Sequence, residues 1–144
     1  MERVKIYCDG GARGNPGPAA LGVVIQTGKK SEEYFQFLGP LTNNEAEYQA
    51  ALFGLKKLKH LVGKKEAKEI VVDVYSDSEL LVKQISGLYR IRARKLGSLF
   101  ISLWNLTLDF KKVHFHSIPR EENQKADTLV NQALDEAARS QPLI

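Results

Sequence analysis

The run Ile70 to Tyr75, IVVDVY, is apolar almost throughout and rich in β-branched residues. Such a strand suits the centre of a sheet covered on both faces, and that requires helices on both sides. Three strand-like segments precede it: Arg3 to Asp9, then Ala20 to Gln26, then Glu33 to Leu38. Short connections join them, with Thr27-Gly28-Lys29-Lys30 as a hairpin turn, so they read as an antiparallel meander. A fifth strand, Val113 to Ile118, carries His114 and His116 on one face. Strands and helical patterns alternate in the second half of the chain, which argues for parallel strands joined by helical crossovers. The expected fold is α/β (α+β mixed): a five-stranded mixed sheet with helices on both faces, in a single domain over residues 1–144.

Four helices are expected. Thr42 to Glu45 (TNNE) has the spacing of a capping box, and a helix should run from it to about Val62, with Gly63 as its stop. Its apolar stripe contains Ala51, Leu55, Leu58 and Val62, and four residues before Ala51 stands Glu47. Lys64 to Lys68 reads as a charged loop. Ser76-Asp77-Ser78-Glu79 again has capping-box spacing and starts a short helix with Leu81, Ile85 and Leu88 inward. Leu96 to Phe110 reads as a second core helix, with Leu99, Leu103, Trp104 and Leu106 inside. The last helix spans about Asn123 to Arg139 and buries Ala126, Leu129, Val130, Ala133, Leu134 and Ala137. Asp127 lies on that same packed side. The end of the chain, Gln141-Pro142-Leu143-Ile144, is apolar and either folds back or frays.

The first strand alternates Val4, Ile6 and Cys8 on one face with Lys5, Tyr7 and Asp9 on the other. It is expected to end on Asp9, where a glycine-rich loop begins. Pro16 and Pro18 keep that loop from opening a helix, so it is not a dinucleotide-binding turn. If the first and fourth strands are parallel neighbours, Asp9 and Asp77 emerge at one edge, and Glu47 and Asp127, near the starts of their helices, lean over it. Four like charges together repel and raise pKa values, and a divalent cation removes the conflict. Hard oxygen ligands point to Mg²⁺ or Mn²⁺ rather than zinc. His114 and His116 have no third ligand nearby and are not expected to bind metal.

Lysine and arginine number 21 against 17 acidic residues, a net charge of +4 that permits a polyanionic partner. The basic run Tyr89 to Lys95, YRIRARK, is either a solvated connection or a phosphate-contacting patch. The single cysteine, Cys8, fits a reducing cytoplasmic setting. No stretch has signal-peptide or membrane-spanning character.

Four segments, YCDGGARGNPGP, TNNEAEYQA, VYSDSELLVKQI and REENQKAD, together resemble the type 1 ribonuclease H family, in the same order and across essentially the whole chain. The resemblance implies a ribonuclease H-like fold and an endonuclease that cuts the RNA strand of RNA–DNA hybrids with two Mg²⁺ ions. Asp9, Glu47, Asp77 and Asp127 are then the catalytic metal ligands. Gly14 and Asn15 resemble the segment that reads 2′-hydroxyls in the minor groove. Asn43 and Asn44 resemble contacts to the hybrid, and Thr42 a contact to a DNA phosphate. Short polar groups reach 2′-hydroxyls in a wide minor groove without reading bases, so cleavage should depend little on sequence. The alternatives are a same-fold nuclease that also cuts double-stranded RNA, and a non-catalytic nucleic-acid-binding module. Capping of the helix start is a further role open to Asn43 and Asn44.

Two departures from the family stand out. The histidine that many members carry before the last helix is missing, and Arg120, Glu121 and Glu122 are the candidates to replace it. The connection Gly87 to Leu96 is too short for the family's extra basic helix, leaving Arg90, Arg92, Arg94 and Lys95 for phosphate contacts. With no separate hybrid-binding domain expected ahead of the fold, affinity should be modest and fall with salt. A monomer is expected.

Overall fold

The structure, a computed structural model, describes residues 3–28 and 30–140. Lys29 of the hairpin turn and the tail Gln141 to Ile144 lie outside the described residues. Strands β1 (Arg3–Ala12), β2 (Gly17–Thr27) and β3 (Lys30–Leu41) form the antiparallel meander. Helix α1 (Asn43–Val62) and the short α2 (Lys64–Ala67) lead to β4 (Val71–Ser76). Helices α3 (Glu79–Ile85) and α4 (Arg94–Thr107) lead to β5 (Lys112–Ser117), and α5 (Gln124–Arg139) closes the fold. The sheet order is β3-β2-β1-β4-β5, with β4 parallel to both β1 and β5. This is the five-stranded mixed sheet expected, and it has helices on both faces.

The larger core lies between the sheet and α1, α3 and α4. Val4, Ile6, Val23, Ile25, Val72 and Val74 meet Ala51, Leu55, Leu58, Leu81 and Leu103 there, all buried. On the other face α5 packs across β1, β2 and β3, with Val130, Ala133 and Leu134 on Ala20. Two glycines let the helices come close. A Cβ on Gly10 would lie 2.2 Å from the backbone of Ala46 in α1, and one on Gly22 would lie 2.3 Å from the carbonyl oxygen of Ala126 in α5. The sheet thus holds both helices at backbone contact beside the end of β1.

Helix α1 starts and stops where local chemistry dictates. The Thr42 hydroxyl accepts the Glu45 N–H and the Glu45 carboxylate accepts the Thr42 N–H, so both halves of the capping box are present. Gly63, at φ +88°, ends the helix in a conformation that disfavours other residues.

Several expectations need correction. Strand β1 does not end at Asp9; it continues to Ala12, because Gly10, Gly11 and Ala12 still pair with Leu21, Ala20 and Ala19 of β2. What ends near Asp9 is the pairing with β4, whose last partners are Cys8 and Ser76. Lys64 to Ala67 is a helical turn that buries Ala67, not a solvated loop. The cap of α3 is Ser78, whose hydroxyl accepts the Leu81 N–H, while the Ser76 hydroxyl accepts the Ser78 N–H. Leu88 lies beyond α3 and is 73% exposed, and Trp104 sits on the outer side of α4, 49% exposed. Residues 120–122 form a 3₁₀ turn.

The connection between α3 and α4 is anchored from below. The buried Tyr48 hydroxyl donates to Gln84 Oε1 at 2.7 Å, and Gln84 Nε2 donates to the Arg90 carbonyl at 3.1 Å. On β5, His116 Nε2 lies 2.8 Å from Asp73 Oδ1, and Arg3 Nε donates to the same carboxylate at 2.7 Å. Asp73 is buried, and burial alone would raise its pKa, but the Arg3 and His116 contacts hold it below the usual carboxylate range. Of the two histidines, His116 belongs to this ion-pair network. Among the described residues no helix is long and apolar enough to cross a membrane.

Candidate active site

The parallel ladder between β1 and β4 fixes the site. Because its last pair is Cys8 and Ser76, the next residue on each strand is an aspartate, Asp9 and Asp77, released side by side at the sheet edge. Helix α1 brings Glu47 to the same point, since Gly10 lets its backbone touch β1. The Gly10 N–H then donates to Glu47 Oε1 at 2.5 Å. This bond turns Glu47 away from water, the more common fate of a helix glutamate.

One carboxylate oxygen from each of Asp9, Glu47 and Asp77 lies within 4.8 Å of the others. Asp127, in the first turn of α5, is not in that tight trio. It lines the same cleft, about 400 Å³, together with Asp9, Glu47, Asp77, Asn43 and Arg120. Arg120 Nη2 stands 3.5 Å from Asp127 Oδ1. Of the three residues considered in place of the absent histidine, Arg120 is the one that lines this cleft; Glu122 lines a separate cavity beside Tyr7.

The electrostatics match that crowding. Asp9 is 6% exposed, and burial, then the charges of Asp77 and Asp127, push its pKa up to about 8. Burial, then Asp9 and Asp77, raise Glu47 as well, against the opposing Gly10 N–H. The Cys8 thiol beneath them is raised by burial and then by Glu47, Asp9 and Asp77. Among the described residues no lysine or arginine pairs with Asp9, Glu47 or Asp77. A hard, oxygen-only donor set with uncompensated negative charge fits a divalent cation.

The remaining predicted residues surround the start of α1. Asn15 Oδ1 accepts the Asn43 N–H at 2.9 Å, and Asn43 Oδ1 accepts the Ala12 N–H at 2.9 Å. Asn43 therefore ties β1 to α1, and the cap is Thr42. Asn44 is exposed beside it. Gly14 takes φ +96° in the loop between β1 and β2. On the far side of the α1 start, Asn15, Thr42 and Asn44 share a cleft of about 590 Å³ with Arg94 and Lys95 of α4. Sequence reasoning missed Asn123. It is 1% exposed, and its Nδ2 donates to the Cys8 carbonyl at 2.9 Å across the fold. An asparagine just before a helix reads as a cap, so nothing local signals that reach.

Comparison with known proteins agrees with this arrangement. A family model described as "Reverse transcriptase-like" matches residues 7–133. The bifunctional protein Rv2228c of Mycobacterium tuberculosis is 39% identical over 141 residues, covering 96% of this chain but 37% of its own length. The chain thus spans little more than a third of the first curated relatives it matches. Ribonuclease H of Chlorobium phaeovibrioides is 33% identical over 150 residues, covering 96% of this chain and 94% of that protein. Among solved structures, LC11-RNase H1 in complex with RNA/DNA hybrid superposes with a TM-score of 0.88 at 40% identity, covering 94% of this chain and 99% of that one. With a family model over most of its length and a near full-length relative above 30% identity, the chain belongs to the ribonuclease H family.

Proposed function

We propose that residues 1–144 form one ribonuclease H catalytic domain that hydrolyses the RNA strand of RNA–DNA hybrids with little sequence preference. The observation that carries this reading is the meeting of Asp9, Glu47 and Asp77 within 4.8 Å, with Asp127 in the same cleft. Those four residues would hold two divalent cations, Mg²⁺ or Mn²⁺. When bound, such ions supply the positive charge that activates a water and stabilises the leaving oxygen of a phosphodiester.

The chain's own residues place the substrate. Gly10 N–H fixes the Glu47 carboxylate, and the Asn15–Asn43–Ala12 bonds hold the glycine loop against the α1 start. Gly14, Asn15, Asn43 and Asn44 present short polar groups and bare backbone, suited to 2′-hydroxyls in a wide minor groove. The Thr42 oxygen is used as an acceptor by the α1 cap, which leaves its O–H free to donate to a phosphate. Arg94 and Lys95 share that cleft and complement a DNA-strand phosphate there.

The test is cleavage with purified protein and Mg²⁺ of three matched duplexes: hybrid, duplex RNA and duplex DNA, each strand labelled in turn. The expected result is cutting of the hybrid's RNA strand alone, with binding that weakens as salt rises. Cutting of duplex RNA at a similar rate would replace the hybrid reading with a broader nuclease, and binding without any cutting would leave a nucleic-acid-binding module.

A further inference from the structure

The four carboxylates arrive from two halves of the molecule. Asp9, Glu47 and Asp77 stand on β1, α1 and the end of β4, braced by the Gly10 N–H and the β1–β4 ladder. Asp127 stands on α5, which packs on the opposite face of the sheet. Something must hold the α5 start at a fixed place relative to Asp9.

Asn123 occupies that position. It is the residue before α5, where an asparagine normally turns its side chain back to cap the helix, yet here it makes no side-chain cap. Its Nδ2 instead donates to the Cys8 carbonyl, the peptide oxygen immediately ahead of Asp9. Its backbone carbonyl accepts the Asp127 N–H at 3.1 Å, and its N–H donates to the Arg120 carbonyl at 2.9 Å. One residue therefore touches the strand that carries Asp9, the helical turn that carries Asp127 and the turn that carries Arg120. Among the described residues its buried Oδ1 has no hydrogen-bond partner.

We propose that Asn123 is a positioning residue that sets Asp127 against the Asp9–Glu47–Asp77 trio and so completes the metal site. The inference rests on the reading of that cleft as a divalent-cation site. Asn123 touches neither substrate nor metal; it acts through the peptide ahead of Asp9 and the backbone of Asp127.

The test uses Asn123→Asp, nearly isosteric but with no amide to donate, and Asn123→Ala. Asp73→Asn, in the Arg3–His116 ion-pair network away from the cleft, serves as a destabilised control. The measurements are Mg²⁺ binding by titration calorimetry, the rise in Tm that Mg²⁺ produces, and kcat and KM on the hybrid. Both Asn123 variants should need about tenfold more Mg²⁺ for half-saturation and should lose roughly 10–100-fold in kcat with KM nearly unchanged, as expected for an outer-shell partner of metal ligands. Asp73→Asn should lower Tm while leaving Mg²⁺ half-saturation as in wild type. Wild-type Mg²⁺ affinity and kcat in both Asn123 variants would overturn the proposal. So would a loss that tracks Tm alone, equal in Asp73→Asn. A wild-type protein that binds no Mg²⁺ would sink the cation-site reading itself, a different outcome from a wild type that binds Mg²⁺ and variants that bind it equally well.

Discussion

Asp9→Asn should cut hybrid turnover by at least about 10³-fold while leaving hybrid binding nearly intact. The carboxylate meets Glu47 and Asp77 within 4.8 Å, and burial, then the charges of Asp77 and Asp127, have pushed its pKa up to about 8. Its negative charge is therefore costly to the empty protein and useful only when a cation is present. The neutral amide has the same shape and no such cost. The same substitution should thus raise the Tm of the metal-free protein at pH 8, by a gain of about 1–3 kcal/mol or roughly 3–10 °C. Activity and stability move in opposite directions, which separates a functional role from a structural one. Cleavage assays, hybrid binding by filter retention and thermal unfolding in a chelator read the three quantities. Retained turnover would remove Asp9 from the metal set; a fall in metal-free Tm would show that its charge is satisfied locally.

Gly10→Ala should be the most disruptive single-methyl change in the sheet. The added Cβ would fall 2.2 Å from the Ala46 carbonyl carbon and oxygen and 2.5 Å from the Glu47 nitrogen. Those are backbone atoms of α1, so no side-chain rotation relieves the overlap; the helix must move off β1. Overpacking of this kind costs typically 1–3 kcal/mol and sometimes more, and here a loss of about 3 kcal/mol, or roughly 10 °C in Tm, is expected. Moving α1 also pulls Glu47 from the Gly10 N–H, so turnover should fall with stability. The neighbouring Gly11 is the internal control. Its Cβ would meet only Val130 Cγ1 at 3.5 Å, an ordinary contact, and Gly11→Ala should leave Tm within a degree or two of wild type. Equal effects at the two glycines would contradict the close-approach argument.

Much of the site was legible because its causes are local. The capping box at Thr42 and Glu45 is a four-residue signal, and it fixes the phase of α1 that turns Glu47 inward. The apolar run before Asp77 marks a central strand, and two aspartates just past the β1–β4 ladder are visible once those strands are parallel. What the sequence hid depends on distant partners. Glycine at positions 10 and 11 reads as a turn, yet the strand continues because Ala20 and Leu21 are there to pair. Trp104 and Leu88 look like core residues by type, but the packing of α4 on α1 and the end of α3 leave them outside. Asn123 reads as a cap; its bond to Cys8 spans 115 positions and has no local trace.

Under the proposed function, acids far apart in the chain share one cation-binding point. Thermal unfolding from pH 5 to pH 8, for wild type and Asp9→Asn, with chelator and with Mg²⁺, tests it most directly. Asp9 holds its proton in the folded state up to about pH 8 but releases it near 3.8 when unfolded. Between those values the folded state binds more protons, so metal-free stability must fall as pH rises. Wild type in chelator should therefore lose more Tm from pH 5 to pH 8 than Asp9→Asn does, and Mg²⁺ should restore the wild type alone. Parallel pH profiles for the two proteins, with no response to Mg²⁺ in either, would contradict the account.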